Sequence, residues 1–178
     1  PLDVQAATID PEKLRRYVPE KAEARSKADL KALAHRTMEL LIKAERPVML
    51  GGNGIHVAGA VEQFRKLIDI LGIPVQTTWL ALDLVPESHP LFAPRSGSIA
   101  PRSANFTVQN SDFFLCIGAR LDMAQVGFSH ERYARAAKKV VCDVDEAEMR
   151  KLALMKIDVP VIADAKEFIE ALIEVASE

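Results

Sequence analysis

The sequence predicts an α/β fold, a doubly wound parallel sheet of five or six strands with helices on both faces. Three observations predict it. Short runs of continuous apolar residues recur along the chain, the pattern of strands covered on both sides. Between them, apolar residues return at spacings of three and four, as on one face of a helix. Strand and helix alternate at a spacing that requires right-handed crossovers, and hence parallel strands. Size and composition agree. A chain of 178 residues, 49% hydrophobic and 27% charged, suits one domain with a sizeable core.

The elements follow in order. Residues 1–25 carry no clear core pattern and read as an arm or linker, and the opening proline suggests that it continues from something upstream. The domain proper runs over residues 26–178. Ser26 is a candidate N-cap with Asp29 three residues on, a weaker relative of the capping box. Leu30, Leu33, Ala34, Met38, Leu41 and Ile42 form the apolar face of the helix that follows, and Glu45-Arg46-Pro47 ends it. Val48–Gly51 is a buried strand. Ala58–Leu71 is an amphipathic helix with Val61, Phe64, Leu67, Ile68 and Leu71 on one face, stopped by Gly72. Ile73–Thr78 is the second strand. Trp79–Pro101 is rich in proline and reads as loop, with a sixth strand only if part of Trp79–Val85 pairs. A short helix is expected over Arg102–Asn110, then strands over Phe113–Ala119 and Lys139–Asp145, with a short helix over Glu146–Leu152. The last strand is Val159–Ala163, and Asp164 caps a closing helix over Ala165–Ala176.

Several function classes are disfavoured. A formal net charge of −2 offers no basic face for nucleic acid or an anionic membrane. The apolar runs are strand-length, far short of a bilayer span, and no targeting segment is expected. Cys116 and Cys142 each sit inside an apolar run and read as buried thiols of a protein in a reducing compartment, the cytoplasm. His35, His56, His89 and His130 are scattered without ligand spacing, so no metal site is expected. No nucleophile elbow, CxxC, HExxH or Walker A pattern occurs, and no residue is assigned a catalytic role.

In a doubly wound sheet, ligands sit outside the carboxyl ends of the strands. Four such ends carry suggestive residues. The first is Gly51-Gly52-Asn53-Gly54, a turn that lets backbone approach a phosphate at a helix start. The dinucleotide fingerprint GxGxxG is broken there, because Val57 stands at its last position. The second strand ends in Thr77-Thr78 rather than in the acidic residue that would hold an adenosine ribose. Gly118, Arg120 and Asp122 follow the third strand; Arg120 and Asp122 could reach a phosphate and a hydroxyl, or pair with each other. Asp143 is placed for a ribose, whereas Asp145 reads as the cap of the next helix. Trp79 reads as packing before it reads as a ligand cover. Gly52, Asn53, Gly54, Thr77, Thr78, Gly118, Arg120, Asp122 and Asp143 are thus the candidate binding residues, with an unliganded tight turn favoured over a filled one.

These residues, in this order, resemble a known family. "RPVMLGGNGIHVAGAVEQFRKLIDILGIPVQTTWLALDLVPESHPLF", "SANFTVQNSDFFLCIGARLD" and "KKVVCDVDEAEMRK" followed by "DVPVIADAKEFIEAL" resemble the start, middle and end of the central domain of thiamine diphosphate-dependent enzymes of the acetolactate synthase type. The likeness runs from about Leu30 to Glu174, and "PLDVQ" at Pro1–Gln5 resembles the end of the pyrimidine-binding domain that precedes it. The resemblance implies a Rossmann-like central domain between a pyrimidine-binding and a pyrophosphate-binding domain of the same parent chain, in a homo-oligomer. It implies thiamine diphosphate and magnesium in the parent, held by those other domains, since the GDG motif of the third domain does not occur here. The fragment itself is then non-catalytic. In such families the central domain holds FAD, holds an adenosine nucleotide, or is structural. Here Gly51–Gly54 and Thr77-Thr78 are retained, while Ala81-Leu82-Asp83 and Gly97-Ser98-Ile99-Ala100 stand where flavin-contacting loops would be. Gly118 to Ala124 keeps only the first arginine and aspartate of its segment. The resulting expectation is a structural central domain of a 2-keto acid decarboxylase or carboligase. The alternatives are an FAD- or ADP-binding module of such an enzyme, and a free-standing NAD-dependent dehydrogenase, which the broken fingerprint disfavours. Apolar surface is expected where neighbours pack, the arm Pro1–Tyr17 above all.

Overall fold

A computed structural model describes residues 2–18 and 26–178. Five parallel strands form one sheet: β1 (Pro47–Gly51), β2 (Val75–Thr77), β3 (Phe113–Ile117), β4 (Lys138–Asp143) and β5 (Val159–Ile162). Their order across the sheet is β2-β1-β3-β4-β5. The chain steps one way from β1 to β2 and the other way from β1 to β3, so the winding reverses between β1 and β3. Those two strands are in register over their full length, Pro47 opposite Phe113 and Gly51 opposite Ile117.

Eight α-helices are described. They are α1 (Leu2–Gln5), α2 (Lys27–Leu41), α3 (Gly54–Val57), α4 (Val61–Leu71), α5 (Arg102–Gln109), α6 (Met123–Val126), α7 (Glu146–Lys151) and α8 (Ala165–Ala176). The period of two along each strand separates the core into two layers. Met49, Val75, Phe113, Leu115, Ile117, Val140 and Val161 face one side, packed with Leu30 and Ala34 of α2, Phe64, Leu67 and Ile68 of α4, and Phe168, Ile169 and Leu172 of α8. Leu50, Phe114, Cys116 and Val141 face the other side, with Val108 of α5, Tyr133, Leu152 and Met155. Burying each of the large α4 and α8 side chains contributes about 1.5–3 kcal/mol.

Local chemistry sets the boundaries. The Ser26 hydroxyl accepts from the Asp29 N–H at 3.1 Å and donates to the Asp29 carboxylate at 2.6 Å. Gly72 ends α4 in the left-handed conformation, φ +62°, its N–H donating to the Ile68 carbonyl at 3.0 Å. Asp164 caps α8 by accepting from the Lys166 N–H at 2.8 Å. Asp112 staples the entry of β1 to that of β3, its two oxygens accepting from the N–H groups of Glu45 and Arg46 at 2.9 and 2.8 Å. Burial pulls its carboxyl upward, but those two donors and the Arg46 charge outweigh burial and hold it below the usual range.

Four expectations are corrected, and the expected five or six strands resolve to five. The helix expected over Ala58–Leu71 begins only at Val61, as α4: Gly59 takes φ +62° and separates it from the short α3, which precedes the expected span. Ile42, placed on the buried face of the second helix, is its exposed C-cap, because α2 ends at Leu41. The sheet has five strands. Trp79–Val85 does not pair; it opens as a short 3₁₀ turn at Trp79–Ala81, and the edge of β2 is met instead by a single bridge from Val75 to Phe92. Strands β2 to β5 are shorter than expected, since Ile73, Gly118, Val144 and Ala163 lie outside the ladders, while β1 gains Pro47. Helix α6 and a 3₁₀ turn at His130–Arg132 were not foreseen. In the arm, residues 2–18 hold α1 and a 3₁₀ turn at Pro11–Lys13, and all are exposed, Leu2, Val4, Leu14 and Tyr17 included. Pro1 and residues 19–25 of the expected arm lie outside the described residues.

Candidate site at the carboxyl ends of the strands

A cavity of about 550 Å³ opens at the carboxyl ends of β1 to β5. That volume falls within the range of small-molecule sites. Of the nine candidate residues, Asn53, Gly54, Thr78, Gly118, Arg120, Asp122 and Asp143 line it. Gly52 and Thr77 do not. Gly52 is buried between the turns that follow β1 and β3, and Thr77 is fully buried, its hydroxyl without a hydrogen-bond partner.

The glycine turn is committed to backbone. The Gly52 N–H donates to the Ile117 carbonyl and the Gly54 N–H to the Gly118 carbonyl, each at 2.9 Å. The approach is so close that a Cβ on Gly52 would lie 2.3 Å from both the Gly118 carbonyl oxygen and the Ala119 Cα. Glycine is needed at Gly52 and Gly54 because two main chains touch there.

Beyond β3 the chain makes a strained turn. Gly118, Arg120 and Leu121 have φ of +62°, +55° and +53°. For the two non-glycine residues this conformation costs about 1–2 kcal/mol each. Burial of the Leu121 side chain in the second core layer holds it. The turn presents Arg120 at the cavity mouth. Its guanidinium pairs at 3.2 Å with Glu148 of α7, not with Asp122, and that contact raises its affinity for its proton. Glu148 also binds Lys151, and Lys151 first, then Arg120, lower its carboxyl below the usual range. Asp122 caps α6, accepting from the Gln125 N–H at 3.1 Å. Asp143 accepts from the Asp145 N–H at 2.9 Å. Burial, with the charges of Glu148 and Asp145, raises its carboxyl above the usual range. Asp145 caps α7 through the Ala147 N–H at 2.7 Å, as its position after the strand implied.

Other residues of the wall were not singled out in the sequence. Glu148 is distant from Arg120 in the chain and meets it only because α7 returns beside the β3 turn. Gln125 donates from its buried amide to the Ser96 and Tyr133 hydroxyls at 2.8 and 3.3 Å, tying the proline-rich loop to α6. Trp79, read first as packing, is 56% exposed at the cavity rim beside Leu80 and Val57. His56 pairs with Asp83 at 2.9 Å and His89 with Asp69 at 3.6 Å. No group of His, Cys, Asp and Glu suited to a metal ion occurs among the described residues. No disulfide joins Cys116 and Cys142, and both are buried. No described helix is long and apolar enough to cross a membrane.

Residues 34–172 match the family of the thiamine pyrophosphate enzyme central domain. The chain belongs to that family. This thiamine pyrophosphate enzyme central domain is 33% identical over 139 residues to a probable acetolactate synthase large subunit of Methanococcus aeolicus, covering 78% of this chain and 23% of the relative. It is 32% identical over 178 residues to the corresponding protein of Methanocaldococcus jannaschii, covering 97% and 29%. It is 31% identical over 181 aligned positions to a glyoxylate carboligase of Escherichia coli O157:H7, covering 100% and 29%. The chain thus spans about a quarter of the length of these curated relatives. The central domain's own residues do not fit thiamine diphosphate. The cavity carboxylates are dispersed over the caps of α6 and α8, a turn and the Arg120 pair, and among the described residues they do not gather into a donor set for a metal-bridged diphosphate.

Proposed function

We propose that this chain is the structural central domain of a thiamine diphosphate-dependent enzyme that decarboxylates a 2-keto acid and passes the resulting carbanion to an acceptor. The single observation that carries the reading is the run of relatives along nearly the whole chain, all named as acetolactate synthases or a carboligase. Thiamine diphosphate with magnesium supplies the electron sink for such chemistry, held by pyrimidine-binding and pyrophosphate-binding domains outside this chain. The contribution of these 178 residues is to space those domains with a rigid, doubly covered sheet and to offer them apolar surface. The exposed Val57, Trp79, Leu80 and Val144 around the cavity mouth, and the apolar residues of the arm, support that role. The parent is read as a cytoplasmic homo-oligomer.

The test compares two proteins in the presence of thiamine diphosphate and magnesium. The gene product that contains this chain is expected to release carbon dioxide from a 2-keto acid, with pyruvate and glyoxylate the first substrates offered. The 178-residue chain is expected to release none. Silence of the gene product across a panel of 2-keto acids, or turnover by the 178 residues alone, sinks the reading.

A further inference from the structure

We infer that the glycine turn of this domain is closed to a diphosphate, and that the domain works without a bound FAD or ADP. The inference rests on the central-domain reading only for the choice of those two probes. Three independent observations carry it.

The first is topological. In a sheet ordered β2-β1-β3-β4-β5, the crevice for a ligand opens where the winding reverses, between the ends of β1 and β3. Here the floor of that crevice, between the turns after β1 and β3, is main chain packed on main chain. The N–H groups of Gly52 and Gly54, two of the donors that the turn could offer a phosphate, already serve the carbonyls of Ile117 and Gly118. To receive a phosphate they must give up those bonds, and the two carbonyls would be left without their donors.

The second is steric. A single methyl group has no room between Gly52 and the backbone of Gly118 and Ala119. Lodging a phosphate between the two turns would require β1 and β3 to part at their ends, against a ladder in register from Pro47 to Gly51.

The third is electrostatic. Arg120 is the one cation of the cavity wall among the described residues, and Glu148 holds it. Asp122, Asp143 and Asp164 line the same wall. A diphosphate entering there faces an excess of negative charge at short range, with the one guanidinium already engaged. The glycines therefore act as a clamp that locks the two central strands at the end where related architectures open.

The test is a thermal titration of the 178-residue chain with ADP and with FAD, each to 1 mM by choice of the experimenter, with the nucleotide content of the purified protein measured after denaturation. A ligand present at about a hundred times its Kd would raise the melting temperature of a domain this size by about 5–10 °C. The expected result is a cooperative melt that moves by less than about 1 °C, and a supernatant free of adenine. A saturable rise with either nucleotide, or a flavin or adenine released on denaturation, overturns the inference. If the chain alone melts without cooperativity, flavin absorbance and adenine content of the full gene product decide instead, with the same two outcomes. A bound nucleotide would leave the proposed 2-keto acid chemistry standing, and loss of that chemistry would leave this inference standing, so the two fail separately.

Discussion

Gly52 shows what a glycine at a strand end is for in this protein. The GGNG turn is conspicuous in the sequence, yet the reason for it lies 66 residues away, in the carbonyl of Gly118. Gly52→Ala places a Cβ 2.3 Å from fixed backbone, so an overpacking loss of about 3 kcal/mol is expected. A urea midpoint measured without any nucleotide checks it; an unchanged midpoint would contradict the clamp. Asp143 carries a second prediction. Burial raises its carboxyl in the folded state, so the folded chain binds that proton more tightly than the unfolded chain does. The stability this supplies is complete below the unfolded pKa and is lost as pH rises through the folded one. At pH 7 the ionised side chain is therefore a burden. Asp143→Asn keeps an acceptor for the Asp145 N–H and removes the charge. Its melting temperature is expected to exceed that of the parent chain by about 1–3 °C at pH 7, and to match it below about pH 3. A mutant that melts lower at pH 7 would refute the assignment.

At the scale of elements, legibility followed distance along the chain. Caps are local, and Ser26, Gly72, Asp145 and Asp164 all cap or terminate helices as their positions imply. Asp164→Ala should cost about 1 kcal/mol through loss of the Lys166 contact, read as a lower denaturation midpoint. The strands were legible as apolar runs, but their ends were not, because a ladder stops where the neighbour stops. Gly59 was hidden for a different reason: its apolar surroundings kept a helical period across a residue whose positive φ breaks the helix. The ion pair of Arg120 with Glu148 had no sequence signal at all, since it depends on how α7 returns from β4. The seven lining residues were found by a topological rule, not by a motif, and the same rule misplaced Thr77 and Gly52, which the pleat and the turn bury instead.

Among the described residues, most of the exposed large apolar side chains lie in the arm or in the connections that leave the strands at their carboxyl ends, with Ile42, Ile70, Phe106 and Leu154 elsewhere. Val57 follows β1, Trp79 and Leu80 follow β2, Phe128 follows β3, and Val144 follows β4. A surface of this kind is one that other protein covers. Trp79 is the sole tryptophan of the chain and stands on that rim. Its fluorescence in the 178-residue chain is expected to be that of a water-exposed indole, open to acrylamide quenching. In the full gene product, with any tryptophan outside this chain replaced by phenylalanine, the emission is expected to move to the blue and the quenching to fall. Identical spectra in the two proteins would show that no neighbour covers the rim.

The two buried cysteines have a use that lies outside binding altogether. Cys116 is in the central strand β3, and Cys142 is in β4 with its Sγ directed at the Ala163 carbonyl, 3.7 Å away. Burial raises the Cys116 thiol far above its ordinary range and keeps it unreactive in the folded chain. An alkylating reagent can reach the Cys116 sulfur, fully buried and away from the cavity wall, only when the sheet opens. The rate of labelling is therefore a clock for rare openings, read by mass from one sample without denaturant. If the clamp at Gly52 ties β1 to β3 as its geometry implies, the clock at Cys116 should run faster in Gly52→Ala by the same factor as the loss in global stability. A slower or unchanged clock would place the opening of the sheet elsewhere than at its centre.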